Sequence, residues 1–280
     1  IEDSLLTFTR VFEKTGTGSL RFGGTGSNDL TRVEVREGEL ELAKPPGVDT
    51  ISRSLEIGDG TNTAQVTLLD DHQLVGGLDV VVHTHARFEL NGHTESIGRL
   101  AGLGTLSFNG RSLPFKSGRL TVTSEIVSVF SGEIIGNGGL TLSSAASGGI
   151  ELSGTNPFSG GTILSSGTLR VEGIQTNSPI RLDGGVLTGR GQVGTITGNL
   201  GGTVQPGFDG SAFQNRLHSR DVAFISTTTF RPLLTSADPG FENSQLHVSG
   251  AVNLGGCVLK VDISGTFKFG GVTLNEGDTF

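Results

Sequence analysis

Hydrophobic and polar residues alternate in short segments along the whole chain. In segments such as Arg32–Arg36, Gly104–Phe108 and Gly167–Glu172, apolar residues occupy every second position. Because successive side chains of a strand point to opposite faces, each segment has one apolar face and one polar, solvent-facing face. Turn-forming pairs such as Asn91-Gly92 and Asn109-Gly110 separate the segments. The pattern predicts an all-β chain with little or no α-helix.

A short repeated phrase indicates how the strands are arranged. Gly followed by Ser or Thr and then Leu occurs at Gly18, Gly104 and Gly167, with looser copies at Gly139 and Gly149. Phrases that return after about 20 to 30 residues are typical of stacked rungs, in which each strand pairs with its counterpart one turn later. A sandwich has no such requirement. We therefore predict one continuous parallel β-helix over residues 1–280, right-handed as expected of parallel crossovers.

The same alternation predicts which side chains point into the solenoid. We expect the inward positions to stack in successive rungs and to supply most of the stability. They are Leu20, Phe22, Val33, Val35, Leu106, Phe108, Leu140, Leu142, Leu152, Phe158, Leu169, Val171, Val248, Val252, Leu254 and Leu259.

The clearest repeats lie in residues 131–173. The segments Ser131–Leu140, Leu152–Thr162 and Ser165–Val171 follow one another there. This succession resembles the autotransporter-associated β-strand repeat of bacterial autotransporter passengers, although that family commonly has Tyr where this chain has Phe158. The resemblance implies a β-helical stalk of a secreted or bacterial cell-surface protein whose parent is attached to the outer membrane. It implies no catalytic residue.

Later parts of the chain extend the resemblance. Residues 180–207 resemble a late rung that ends in the Pro206-Gly207 turn, and residues 245–280 resemble the closing segment of such passengers, apparently truncated. Residues 207–220, which include His218, break the alternation, and we expect an irregular loop there. Since the chain contains no Met, we expect it to be a processed or excised piece of a longer protein.

Composition and charge exclude several classes of protein. The chain has 46 Gly, only 17% charged residues and a formal net charge of −8. With no basic stripe, nucleic acid is not an expected partner, and no apolar run is long enough to span a membrane. Cys257 is the only cysteine, so neither an internal disulfide nor a cysteine-based zinc site can form, and we predict a core thiol. We expect no cofactor.

The densest acidic cluster is Asp70-Asp71, followed by Asp79, Glu89 and Glu95. Paired carboxylates can perform acid–base chemistry or bind Ca²⁺. Adjacent residues of a strand point to opposite sides, so the two aspartates can share a site only on a turn. A solvated turn is the alternative, and we favour it.

His83, His85 and His93 form a candidate metal site. Histidines two residues apart on a strand share one face, and a third histidine from a returning strand would complete a set of three nitrogens. Surface histidines without a ligand are the alternative that we favour. The turn Gly58–Asn62 gives only a weak calcium signal, because it lacks a tandem nonapeptide series.

Three function classes remain open. A non-enzymatic structural or adhesive stalk leads, because no nucleophile, base and oxyanion donors occur together in the sequence. A carbohydrate-active enzyme or a glycan-binding module on the same scaffold is the alternative. A metal-dependent binding module is the third. Glycans or other surface proteins are the expected partners, together with self-association through the open ends of the β-helix.

Overall fold

The computed structural model describes residues 10–28, 30–110, 117–207, 215–234 and 243–263, together with the backbone of residues 267–269 and 272–274. No described residue lies in a helix, so the all-β prediction is confirmed. Within the same residues, no helix is long and apolar enough to cross a membrane.

The chain forms short strands separated by turns. The first twelve are β1 (Val11–Lys14), β2 (Ser19–Phe22), β3 (Leu30–Val35), β4 (Gly38–Leu42), β5 (Ile51–Ile57), β6 (Ala64–Leu68), β7 (Asp79–Val82), β8 (Ala86–Glu89), β9 (Thr94–Ile97), β10 (Leu100–Gly102), β11 (Thr105–Ser107) and β12 (Arg119–Val122). The next twelve are β13 (Val127–Phe130), β14 (Glu133–Ile135), β15 (Gly139–Ser143), β16 (Gly149–Leu152), β17 (Thr162–Ser166), β18 (Thr168–Val171), β19 (Ile174–Gln175), β20 (Ile180–Leu182), β21 (Val186–Gly189), β22 (Gln192–Val193), β23 (Ile196–Gly198) and β24 (Gly202–Pro206). The last are β25 (Arg216–Ser219), β26 (Val222–Ala223), β27 (Thr228–Phe230), β28 (Leu233–Leu234), β29 (Gln245–Val248), β30 (Val252–Asn253), β31 (Val258–Leu259), β32 (Asp262–Ile263), β33 (Phe267–Phe269) and β34 (Val272–Leu274).

These strands build a parallel β-solenoid, as the repeated phrases predict. Sheet A contains twelve strands in the order β1-β3-β5-β7-β10-β13-β16-β18-β21-β24-β27-β31. Sheet B is β2-β4-β6-β8-β11-β14, sheet C is β9-β12-β15-β17-β20-β23-β26-β30, and sheet D is β19-β22-β25-β29. Neighbouring strands in all four sheets are parallel. The described strands also include the parallel pair β28–β32 and the antiparallel pair β33–β34.

The length of a rung varies because the turns differ. Val186 pairs with Thr203 after 17 residues, whereas Thr229 pairs with Val258 after 29 residues. Parallel pairing nevertheless persists from rung to rung, with register shifts only between Leu142 and Ser143 and between Leu30 and Arg32 among the described strand pairs.

On one face of the solenoid, sheet B ends and sheet D begins near Asn156. Its side-chain oxygen accepts a hydrogen bond from the amide of Ile134 in β14, at 3.0 Å. Its own backbone amide donates to the carbonyl of Ile174 in β19, at 2.7 Å. The fully buried Asn156 thus links the last strand of one sheet to the first strand of the next.

The predicted register is confirmed through the middle of the solenoid. Ten of the predicted inward side chains are fully buried: Val33, Val35, Leu106, Phe108, Leu140, Leu142, Leu152, Phe158, Leu169 and Val171. Phe22 and Val248 are half-buried and pack against this core. Phe158 lies against Phe108, with ring centroids 5.7 Å apart. Cys257 is half-buried and packs against the same core.

Burial is predicted wrongly toward the ends of the sheets. Leu20, Val252, Leu254 and Leu259 are between 37% and 56% exposed. Strands β2, β30 and β31 are the terminal strands of sheets B, C and A, so no further strand formed by the described residues lies over them. Leu20 still pairs with the fully buried Leu40, which shows that its register is right although its burial is not.

The predicted irregular loop at residues 207–220 is too long. Residues 208–214 lie outside the described residues, but Arg216–Ser219 form β25 in sheet D. Leu217 and Ser219 are buried while Arg216 is exposed, so the alternation of a strand is present in this short segment.

Candidate functional site

The candidate chemistry at Asp70 and Asp71 lies where sheet B gives way to sheet C. The turn that carries the two aspartates follows β6, and the loop that carries His93 joins β8 to β9 in the next rung. His72 and Asn91 both have a φ of 51°, which lets each loop bend sharply after its strand. The two loops therefore meet at one corner of the solenoid, which we call the Asp71 corner.

Asp71 connects the two loops directly. Its Oδ1 accepts a hydrogen bond from the amide of Thr94 at 2.8 Å and lies 3.1 Å from Nδ1 of His93. The neighbouring Asp70 turns back on the chain, and its Oδ1 accepts the amide of Asp71 at 2.9 Å. Both aspartates are half-buried and lie in the turn after β6.

Glu95 lies beneath this corner and is only 1% exposed. Its Oε2 accepts the amides of Gln73 and Leu74 at 2.7 and 3.1 Å, and its Oε1 accepts the amide of Ser96 at 2.9 Å. Burial raises the pKa of Glu95 to about 7, and the charge of Asp71 adds to the increase, although the three amides favour the carboxylate. Glu95 therefore fixes the backbone of the turn above it.

Gln73 extends this polar column into a third rung. Its amide group is fully buried and forms two hydrogen bonds of 2.8 Å with the backbone of Lys44, one as acceptor and one as donor. The sequence interpretation overlooked Gln73. Its position inside the Asp70–Gln73 turn was the only available signal.

Three side chains at the corner lie close enough together that they could hold a metal ion. Asp70, Asp71 and His93 each offer a ligand atom, and these atoms lie within 4.8 Å of one another. One imidazole nitrogen and two carboxylate oxygens form a donor set that suits a divalent metal such as Zn²⁺. The structure thus combines members of two sets that the sequence analysis kept apart.

The predicted set of three histidines does not form as expected. β7 ends at Val82 and β8 begins at Ala86, so His83 and His85 lie in the intervening turn and share no strand face. His85 has a φ of 64° and is exposed. The pairing of these two histidines on one strand is therefore wrong, because the alternation assumed there stops at Val82.

The other candidate carboxylates have separate partners. Oδ2 of Asp79, in sheet A, lies 3.5 Å from Nη1 of Arg99. Oε2 of Glu89, in sheet B, lies 2.8 Å from Nη2 of Arg87. Asp59 of the weak calcium turn accepts the amides of Thr61 and Asn62, and these bonds lower its pKa. The turn's own donors therefore bind an oxygen that a cation would need.

No known family model, curated protein or solved structure matches this chain.

Proposed function

We propose that this chain is a non-enzymatic stalk of a bacterial secreted or cell-surface protein, which presents another module or contacts a surface itself. The observation that supports this most directly is the parallel ladder of sheet A, which continues from Val11 to Leu259. Each rung in such a ladder adds about 4.8 Å of length and buries the apolar residues of its neighbours. A rod of this kind is suited to holding a module at a distance.

The autotransporter-passenger type of stalk is the form that we favour. Gly167 has a φ of 79° and precedes β18, in which Leu169 and Val171 are fully buried. Gly185 has a φ of 64° and precedes the register partner of β18, which is β21. A glycine thus serves the same purpose in two successive rungs, since it permits the bend before the strand and the next alternate residues fill the core.

A glycan-binding or carbohydrate-active module remains the alternative. A groove of about 520 Å³ lies along the outer face of sheet B and is lined by Ser19, Glu39 and Gln65, among others. Its polar side chains could form hydrogen bonds with sugar hydroxyls. The Asp71 corner offers carboxylates for the same alternative.

Deletion of one rung tests whether the solenoid is a spacer. Removing residues 168–185 joins Gly167 to Val186, which is the register partner of Thr168. The stalk proposal predicts a folded protein that is shorter by about 4.8 Å, measured by small-angle scattering, and any glycan binding should be unchanged. Loss of a binding activity on this deletion would indicate a localised site and contradict a spacer role for the rung.

A hydrolysis screen separates the stalk from the enzyme. The wild type and the Asp70→Ala/Asp71→Ala variant are assayed on a panel of polysaccharides and on a glycan array. Hydrolysis that the double variant loses would overturn the stalk proposal. Binding without turnover, equal in both proteins, agrees with an adhesive stalk.

A further inference from the structure

Two imidazole rings lie one above the other on sheet D. His218 in β25 pairs in register with His247 in β29, and their ring centroids are 5.0 Å apart. Gln192 in β22 is the register partner of His218 on the other side. Three consecutive rungs therefore place a column of nitrogen-bearing side chains on one face of the solenoid.

This column borders a cleft of about 330 Å³. Its lining includes Gln192, His218, Arg220 and His247. These residues bring amide, imidazole and guanidinium donors together, and none of the described lining residues is acidic. Such a surface is unexpected on a chain with a net charge of −8.

Arg220 is exposed at this cleft and forms no ion pair among the described residues. Its guanidinium suits the planar, two-oxygen edge of an oxyanion.

We propose that this cleft, lined by His218, Arg220 and His247, binds an oxyanion. The ligand class is a sulfate, phosphate or carboxylate group, either as a free ion or carried by an acidic polysaccharide. The guanidinium supplies a permanent positive charge, while the imidazoles and the Gln192 amide supply directed hydrogen bonds.

The pair of imidazoles makes this binding depend on pH. Burial, followed by the charges of His247 and Arg216, lowers the pKa of His218 below its usual value of 6.5. The nearest acid along the chain, Asp221, accepts the amide of Ala251 at 2.8 Å and is not among the lining residues. Two protonated imidazoles would repel each other, and an oxyanion bound beside both rings would relieve that repulsion. Binding should therefore strengthen as the pH falls.

The test follows the six histidines by ¹H–¹³C NMR during titration with sodium sulfate at constant ionic strength. We expect saturable shifts of His218 and His247, with affinity about tenfold higher at pH 5.5 than at pH 8.0. Arg220→Gln, an exposed substitution, should lower the affinity about tenfold. Arg53→Gln, which removes another exposed arginine, should leave it unchanged. A His218→Gln/His247→Gln variant, checked for an unchanged unfolding temperature, should abolish the pH dependence.

A second arm identifies the source of the oxyanion. Dextran sulfate and neutral dextran are compared with inorganic sulfate on the same variants. Tighter binding of dextran sulfate, reduced by Arg220→Gln, would assign the cleft to an acidic polysaccharide, and equal affinity for the inorganic ion would assign it to a free oxyanion. Three outcomes would overturn the proposal. They are no saturable imidazole shift with either sulfate or dextran sulfate, an equal loss of affinity in Arg220→Gln and Arg53→Gln, or imidazole shifts caused by Zn²⁺ but not by sulfate.

Discussion

Replacement of Leu169 by alanine tests how far stability spreads along the solenoid. Leu169 is fully buried and lies in a column with Ile150 in the rung before it and Leu187 in the rung after it. Val204 continues that column by pairing with Leu187. The substitution would leave a cavity between two rungs whose backbones are held in position by ladder hydrogen bonds.

The expected cost follows from this burial. A fully buried Leu→Ala change costs about 3 kcal/mol, from the lost transfer free energy and from the cavity that remains. In a solenoid each rung contacts only its neighbours, so the loss should be concentrated in the rungs of Ile150 and Leu187. Distant rungs, such as that of Val35, should retain their stability.

Native-state amide hydrogen exchange measures this distribution directly. A loss of about 3 kcal/mol lowers protection about 150-fold at the amides of Ile150 and Leu187. Leu200→Ala is the matched control, because Leu200 is 68% exposed and should change protection little. Equal losses at Val35 and at Leu187 would refute nearest-neighbour stability, and unchanged protection everywhere would refute the burial of Leu169.

Three further substitutions have defined outcomes. Burial raises the pKa of Glu95 from 4.5 to about 7, so the wild type should lose up to about 3 kcal/mol of unfolding free energy as the pH rises through that interval. Glu95→Gln should remove this slope in denaturant titrations at pH 5 and 8, and a retained slope would exclude Glu95 as its cause. Gly102→Ala should lower the unfolding free energy by at least about 2 kcal/mol more than Gly60→Ala in the same titrations. Both glycines have positive φ, but only the new methyl at Gly102 would overlap the Val82 carbonyl. Equal losses in the two variants would contradict this packing. Asn156→Ala should lower the unfolding free energy by about 1–3 kcal/mol, since it leaves the Ile134 amide without its acceptor. The control Asn177→Ala, at an exposed position, should lower it little. Similar values for the two variants would show that Asn156 does not link the sheets.

The alternating sequence by itself determined the strands and their inward register. At the ten confirmed positions from Val33 to Val171, side-chain alternation separates core from surface, because a strand has a period of two residues regardless of what it pairs with. In β13 the hydrophobic pattern is misleading, since Val127 and Val129 are exposed and Ser128 is buried. The recurring Gly-Thr-Leu phrase also indicated parallel stacking, since each rung must present the same pattern to its neighbour. These properties are local, and a short window of sequence contains them.

The tertiary structure decided which side chains meet across rungs. Asp71 lies beside His93 because the intervening turns bring residues 22 positions apart to the same corner. His218 and His247 are 29 positions apart, a spacing that the earlier rungs do not use. Turn lengths set these offsets, and they vary from rung to rung without changing the strand pattern. Leu254 is exposed for a related reason, because burial depends on whether another rung lies above it. The sequence therefore specifies the rung, whereas contacts between rungs depend on turns that the alternation does not encode.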